Sequence, residues 1–203
     1  MKKMSMVLLS AAFSQDWVAD PESDFEVSLN NASDGYIIRK YTGSDRDVVI
    51  PAEIQGFPVR EISDRAFLGC GSLDSVAIPD SVTKIGAYAF MDCSNLASIA
   101  IPDSVTEIGK QAFMGCIRLF SVAIPDGVTE ISEGTFMDCI RLVSVAIPDS
   151  VTEIGAGAFS RCCSLIRLTI EPVKRKWMCN FSDCKLNFIS QAVLRKAGYT
   201  GRF

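Results

Sequence analysis

Histidine is absent from this 203-residue chain. Its absence removes Ser-His-Asp and Cys-His nucleophile activation, since both need an imidazole to carry the proton. It also argues against a zinc site, and no CxxC pair is present to supply the missing ligands. Positive charge is scarce: 20 Lys and Arg stand against 24 Asp and Glu, giving a formal net charge of −4 and a pI near 4.9. A nucleic-acid footprint is basic, so no nucleic-acid partner is expected. The one basic cluster, Lys174-Arg175-Lys176, is short and reads as a solvated turn. Long apolar runs are lacking too, and none reaches the roughly 20 residues of a transmembrane helix.

Repetition is what the chain has in place of these. Ile78-Pro79-Asp80-Ser81-Val82-Thr83 returns at Ile101–Thr106, Ile124–Thr129 and Ile147–Thr152, with a step of 23 residues each time. A fixed period of that length signals a solenoid, each unit one supersecondary element stacked on the next. In one unit the fixed apolar set is Val105, Ile108, Ala112, Phe113, Cys116, Leu119, Val122 and Ile124. Leu119-x-x-Val122-x-Ile124 ends in period-two alternation and is rich in β-branched residues, so it predicts a short strand, which Pro125 ends. The stretch from Val105 to Cys116 has spacings of three and four and predicts a short helix or a pair of turns. Strands are expected at 48–50, before Pro79, Pro102, Pro125 and Pro148, and at 168–170.

A single unit cannot stand alone. Its six or so large apolar side chains contribute about 1.5–3 kcal/mol each when buried, whereas ordering the backbone costs about 1–2 kcal/mol per residue. Only the stacked array folds, and its ends need caps. Residues 25–41 predict a β-hairpin turning at Asp34-Gly35. At the other end Trp177, Phe181, Leu186, Phe188, Ile189, Val193 and Leu194 form a different apolar set, with a helix expected from Ser190 to Ala197 that stops at Gly198. The first unit is longer, with extra residues in Ala52–Pro58 that read as a turn around Gly56-Phe57-Pro58.

Ile-Pro after the strand, Ile-Gly-x-x-Ala-Phe in the middle and Cys-x-x-Leu-x-x-Val-x-Ile-Pro at the close make a unit that resembles the BspA-like class of leucine-rich repeats. The lead-in Tyr41-Thr42-Gly43, Val49-Ile50-Pro51 and Gly56-x-Pro58-Val59-x-x-Ile62 is similar to the opening unit of those proteins. The resemblance covers about residues 41–170. It implies an α/β solenoid, a leucine-rich repeat with a concave parallel β-sheet of about six strands, and a bacterial surface or secreted protein concerned with adhesion. It brings no catalytic residues. Asn is common after the strand in such repeats, where its side chain satisfies backbone groups. Here Ser81, Ser104, Gly127 and Ser150 hold the matching positions, so that ladder is weaker and breaks in the fourth unit. The expected organisation is a leader or disordered N-terminus at 1–23, a capping hairpin at 24–49, an array of five units at 50–170 and a C-terminal cap at 171–203.

Met1-Lys2-Lys3 fits a charged n-region and residues 7–12 a short h-region with a small-residue cleavage site after Ala12, at the lower limit for a secretory signal. Export through this segment and an unrelated N-terminus are both open readings. Of eight cysteines, Cys70, Cys93, Cys116, Cys139 and Cys162 share one apolar repeat position and are expected to be buried, reduced thiols. The remaining Cys163, Cys179 and Cys184 leave room for one stapling disulfide, Cys179–Cys184 or Cys163–Cys179. Asp80, Asp103, Asp126 and Asp149 form a regular row explained by turn chemistry, since a calcium ladder would need further oxygen ligands. No cofactor and no metal are expected.

Function is expected on a surface. Small side chains pave the strands' outward positions, with Ser98, Ser121, Ser144 and then Arg167 among them. Beside these lie Ile117, Phe120, Ile140, Val143 and Ile166, apolar residues the repeat does not require, because other units hold Gly71, Asp74, Ser94 and Ala97 there. These nine residues are the candidate partner-binding face. Two functions follow from it. One is a non-enzymatic binding module, adhesin-like, for a host or extracellular matrix protein. The other is a self-assembling structural protein that forms a homo-oligomer.

Overall fold

Proline decides where each coil turns: a short β-branched strand runs up to an Ile-Pro step and stops there, because proline offers no N–H to the next strand. The computed structural model describes residues 22–170, 176–177, 181, 184–186, 188–196 and 198–201. The signal-like segment, Cys179 and most of the basic cluster lie outside the described residues, as do the side chains of Trp177, Phe188, Ile189 and Val193.

The described chain opens on a hairpin of β1 (Phe25–Leu29) and β2 (Tyr36–Tyr41), paired antiparallel as expected. A first ladder of parallel strands contains β3 (Asp47–Val49), β6 (Ser75–Ala77), β8 (Ser98–Ala100), β10 (Ser121–Ala123), β12 (Ser144–Ile147) and β14 (Arg167–Ile170). These are the six expected strands, in the expected register: Val76 faces Ile99, Val122 faces Val145, and Val145 faces Leu168. They form two three-stranded sheets, β3-β6-β8 and β10-β12-β14, rather than one continuous sheet.

The sequence pattern does not announce a second ladder, yet one is present. It contains β5 (Phe57–Ile62), β7 (Lys84–Ile85), β9 (Glu107–Ile108), β11 (Glu130–Ile131), β13 (Glu153–Ile154) and β15 (Lys176–Trp177). β2 joins β5 in parallel, so the hairpin covers the first coil. The insertion in that coil is itself a hairpin of β4 (Glu53–Ile54) on β5. Its turn is Gln55-Gly56, with φ of 51° and 79°, as a two-residue hairpin loop requires. The turn therefore falls one residue earlier than expected, and Phe57 and Pro58 belong to the strand.

The stretch from Val105 to Cys116 is not helical: two strand residues are followed by turns. Each coil places two residues in the left-handed region four positions apart. Arg65, Tyr88, Gln111, Gly134 and Gly157 have φ between 54° and 64°, and Gly69, Asp92, Gly115, Asp138 and Arg161 between 59° and 73°. Such residues halt an α-helix. They turn the backbone N–H groups towards the next coil, so Phe90 donates to the Ala112 carbonyl at 2.8 Å, and Phe113 and Phe136 repeat the bond one and two coils on.

Two side-chain ladders fill the interior. Phe67, Phe90, Phe113, Phe136, Phe159 and Phe181 are fully buried and stack face to face with centroids 4.8–5.8 Å apart. Tyr41 stacks on Phe67 at 5.3 Å, and Tyr199 meets Phe181 edge-on at 5.2 Å, so an aromatic from each cap closes the stack. The thiols of Cys93, Cys116, Cys139 and Cys162 donate to the carbonyls of Phe67, Phe90, Phe113 and Phe136 at 3.1–3.2 Å. Cys184 continues the series, with its thiol 3.7 Å from the Phe159 carbonyl. Cys184 is buried in a sixth coil and Cys163 is exposed, and Cys179, the partner in either expected staple, lies outside the described residues. The repeat thus runs past residue 170, which was expected to end it. The closing helix α1 (Phe188–Lys196) begins two residues earlier than expected and packs on β14, where the Leu168 N–H donates to the Ser190 hydroxyl at 3.0 Å. Gly198, with φ of 90°, turns the chain after it.

Candidate functional site: an exposed apolar and arginine face

Buried anchors three residues apart create the face. Cys116, Leu119 and Val122 point inwards, as do Cys139, Leu142 and Val145, and Cys162, Leu165 and Leu168. Between successive anchors two residues must face outwards. In the third coil those are Ile117 and Arg118, then Phe120 and Ser121. The next coil presents Ile140, Arg141, Val143 and Ser144, and the one after it Cys163, Ser164, Ile166 and Arg167.

Backbone bonds align these side chains from coil to coil. The Phe120 N–H donates to the Ala97 carbonyl at 3.2 Å, Val143 to Phe120 at 2.8 Å, and Ile166 to Val143 at 3.1 Å. Ser121, Ser144 and Arg167 are in direct register on β10, β12 and β14. Arg141 donates to the Ile117 carbonyl at 3.2 Å, which brings Ile140 and Arg141 alongside Ile117 and Arg118. Ile117, Phe120, Ile140 and Ile166 are 41, 56, 43 and 44 % exposed, and Val143 is half-buried between Phe120 and Ile166. Ser98, on β8, belongs to the other three-stranded sheet. Eight of the nine expected residues therefore share the rim of one sheet, and Ser98 stands one coil before it.

Two residues of this face escape a search for apolar departures. Arg118 and Arg141 stand where other coils hold Ser72, Asn95 and Ser164. Their signal was the same departure from the repeat, in charge rather than in hydropathy. Asn95 there ties two coils together by donating its side-chain N–H to the Gly71 carbonyl at 2.6 Å, whereas Arg141 reaches the matching Ile117 carbonyl with its backbone N–H at 3.2 Å. Arg118 instead donates to the Asn95 side chain at 3.5 Å. Among the described residues, Arg118, Arg141 and Arg167 form no ion pair; the arginine pairs are Arg46–Asp74 and Arg161–Asp138. A second exposed apolar group was also missed. Leu29 pairs with Tyr36 across the first hairpin, and the Tyr36 ring meets exposed Phe57 edge-on at 6.5 Å.

Carboxylates stand at both ends of the strands, and Asp74 and Asp138 on the arginine side are ion-paired with Arg46 and Arg161. Asp80, Asp103, Asp126 and Asp149, exposed as turn residues, follow the strands, and Glu107 and Glu130 follow them. Arg118 and Arg141 precede the strands and Arg167 opens β14. Among the described residues no group of three or more His, Cys, Asp or Glu side chains has the arrangement of a metal site. Burial pushes the thiols of Cys93, Cys116, Cys139 and Cys162 far above their ordinary range, which makes them inert as nucleophiles.

A profile of the BspA type leucine-rich repeat region matches residues 60–187 in 6 copies, more than half of the chain. The chain belongs to the BspA-type leucine-rich repeat family. The sixth copy agrees with the coil that ends at Cys184. Among solved structures, this BspA-type chain is similar to the leucine-rich repeat protein of T. pallidum, with 34 % identity and a TM-score of 0.79 over 92 % of this chain and 99 % of that one. It is also similar to a leucine-rich cell surface protein of Faecalibacterium prausnitzii A2-165, with 38 % identity and a TM-score of 0.68 over 78 % of this chain and 44 % of that one. A leucine-rich repeat protein of Eubacterium ventriosum shares the fold at 23 % identity and a TM-score of 0.61, over 67 % of this chain and 36 % of that one. A comparison with curated proteins finds no match. Among the described residues of this BspA-type chain, no helix is long and apolar enough to cross a membrane.

Proposed function

We infer that this chain is a non-catalytic protein-binding module of the bacterial surface, adhesin-like in its recognition of host or matrix proteins. The observation that carries this reading is the aligned row of Phe120, Val143 and Ile166, with Ile117 and Ile140 beside it. The repeat template fills its interior without them, and other coils place Gly, Ser, Ala or Asp there. Exposed apolar side chains gathered in one patch mark interaction sites, and a few such anchors supply most of the energy of an interface. The 38 % identity to a protein described as a cell surface protein supports the location.

The test is binding of the purified chain to immobilised extracellular matrix proteins, with surface labelling of the cells that make it. Val143→Glu would bury an unpaired charge in any interface formed there. Wild type is expected to bind at least one matrix protein, and the variant to lose binding with its melting transition nearly unchanged. Binding that ignores the substitution, or a chain that labelling never reaches on intact cells, would overturn the reading.

A further inference from the structure

We propose that the face formed by Arg118, Arg141 and Arg167 with the Phe120–Val143–Ile166 row docks an acidic partner segment, one that sets carboxylates between apolar side chains. The proposal rests on the reading of this face as a binding surface and adds the chemistry of what it binds.

The first argument is the arrangement of like charges. Arg118 and Arg141 occupy one position of adjacent coils, held in line by the Arg141 N–H to Ile117 carbonyl bond. Strand spacing puts successive coils about 4.8 Å apart, and like charges set directly opposite each other across strands are destabilising. Neither arginine is ion-paired among the described residues, and Arg118 reaches the neutral Asn95 side-chain oxygen at 3.5 Å. The position also has an alternative use within this chain: the neutral Asn95 side chain ties its coil to the previous one there. Two adjacent cations at this position repel each other instead. A carboxylate lying between the two guanidiniums reverses the sign of the effect, because each planar fork accepts a carboxylate in bidentate fashion.

The second argument is segregation. The chain is acidic overall, at a formal −4, its turn aspartates stand at the opposite ends of the strands, and Asp74 and Asp138 on the arginine side are already ion-paired with Arg46 and Arg161. The arginine rim is therefore a local positive field on a negative molecule, and it steers an acidic partner to this face and repels it elsewhere. The third is interleaving. Along the chain the order is Ile117-Arg118, Phe120, then Ile140-Arg141, Val143, then Ile166-Arg167. A partner matching this face carries carboxylates and apolar groups in alternation. A purely acidic polymer leaves the apolar row wet, and a purely apolar one buries the arginines unpaired.

A random 12-residue peptide display library panned against the immobilised chain provides the probe. The same panning uses Arg118→Gln/Arg141→Gln and Val143→Glu, each with its melting transition checked against wild type. Wild type is expected to enrich peptides that combine Asp or Glu with Phe, Leu or Ile. The strongest of them should bind about tenfold more weakly to the double glutamine variant, and lose affinity as salt rises. Apolar peptides without carboxylates, captured equally by the wild type and the glutamine variant, would overturn the acidic-partner proposal and leave the binding face standing. Enrichment that persists in Val143→Glu would overturn both. Enrichment of basic peptides or of none, or self-association of the chain through this face, would overturn the acidic partner.

Discussion

Phenylalanine 113 shows what one residue does in a stacked array. It is fully buried between Phe90 and Phe136, with centroids 5.4 and 5.5 Å away and rings almost parallel. Phe113→Ala should cost about 3–5 kcal/mol, since it leaves a cavity that two neighbouring coils cannot both collapse into. Ser121→Ala, on the outward face, should cost less than about 0.5 kcal/mol. Urea melts of the two variants check the register, and equal effects would refute it. The cysteine rungs give a second residue-scale expectation. A water-soluble alkylating reagent should reach Cys163 in the native chain and spare Cys93, Cys116, Cys139 and Cys184, because the first is exposed and the others are buried. These rungs also link stability to pH. In the native chain burial holds the protons on Cys93, Cys116, Cys139 and Cys162 far above the ordinary range. An unfolded thiol ionises near pH 8.5. Above that the unfolded state binds fewer protons, and stability falls by about 1.4 kcal/mol per thiol per pH unit. The contribution is intact below about pH 8.5, so urea midpoints should be flat from pH 7 to 8 and drop steeply by pH 9.5.

At the scale of elements, the turn segment separates two readings of one pattern. Anchors spaced three and four apart fit a helix, and they fit equally a chain bent twice through the left-handed region. Gly157 distinguishes them. In a helix Gly→Ala stabilises by about 1 kcal/mol. At φ of 64° the same change should destabilise by about 1–2 kcal/mol. An added Cβ would meet only the flexible tip of Met137 at 3.0 Å, so the backbone decides the outcome. A thermal melt of Gly157→Ala reads the sign directly. Strands were legible in the sequence because Leu-x-x-Val-x-Ile-Pro carries both a two-residue period and a stop. The turns were not, since Arg65, Tyr88 and Gln111 adopt left-handed backbone without being glycine. The sixth coil hid behind a deletion. Phe181 and Cys184 follow Phe159 and Cys162 by 22 residues, which breaks the 23-residue count although Phe-x-x-Cys is intact. Of the candidate face, the apolar half was visible as departures from the repeat. Of the arginines only Arg167 was named; Arg118 and Arg141 were not, because Arg at an exposed position reads as ordinary solvation until its lack of an ion pair is seen.

Across the whole molecule, the described strands of the solenoid show a seam that both ladders share. Pairing lapses between β8 and β10 and between β9 and β11, in both ladders at the same coil boundary. Two substitutions account for it. The coil after the seam carries Ser132 where its neighbours carry Gly109 and Gly155. A Cβ on Gly86 or Gly155 would meet a backbone nitrogen of the preceding coil at 2.5 or 2.6 Å. Gly109 and Gly155 donate their N–H to the Ile85 and Ile131 carbonyls at 2.8 and 2.7 Å, whereas Ser132 reaches the Ile108 carbonyl with its hydroxyl at 3.0 Å. That coil also carries Gly127 in place of Ser. Ser104 and Ser150 donate to the Val82 and Val128 carbonyls at 2.6 and 2.8 Å, and Gly127 supplies no such rung. In a linear array stability is a sum over coils and their interfaces, so the weakest interface sets where the array first opens. Phe120 immediately precedes the first strand past this seam, and the candidate face, Ser98 aside, is carried by the coils of β10, β12 and β14. Gly127→Ser with Ser132→Gly should close the seam by adding one hydroxyl rung and by replacing the Ser132 hydroxyl's 3.0 Å bond to the Ile108 carbonyl with a backbone one. The net gain is one bond, so about 0.5–1.5 kcal/mol is expected in urea melts. Hydrogen exchange should slow at the amides of Glu130 and Ile131, the residues of β11 that now lack a partner strand in β9. A pair of substitutions that leaves both the melt and those amides unchanged would mean that the weakest interface lies elsewhere in the stack.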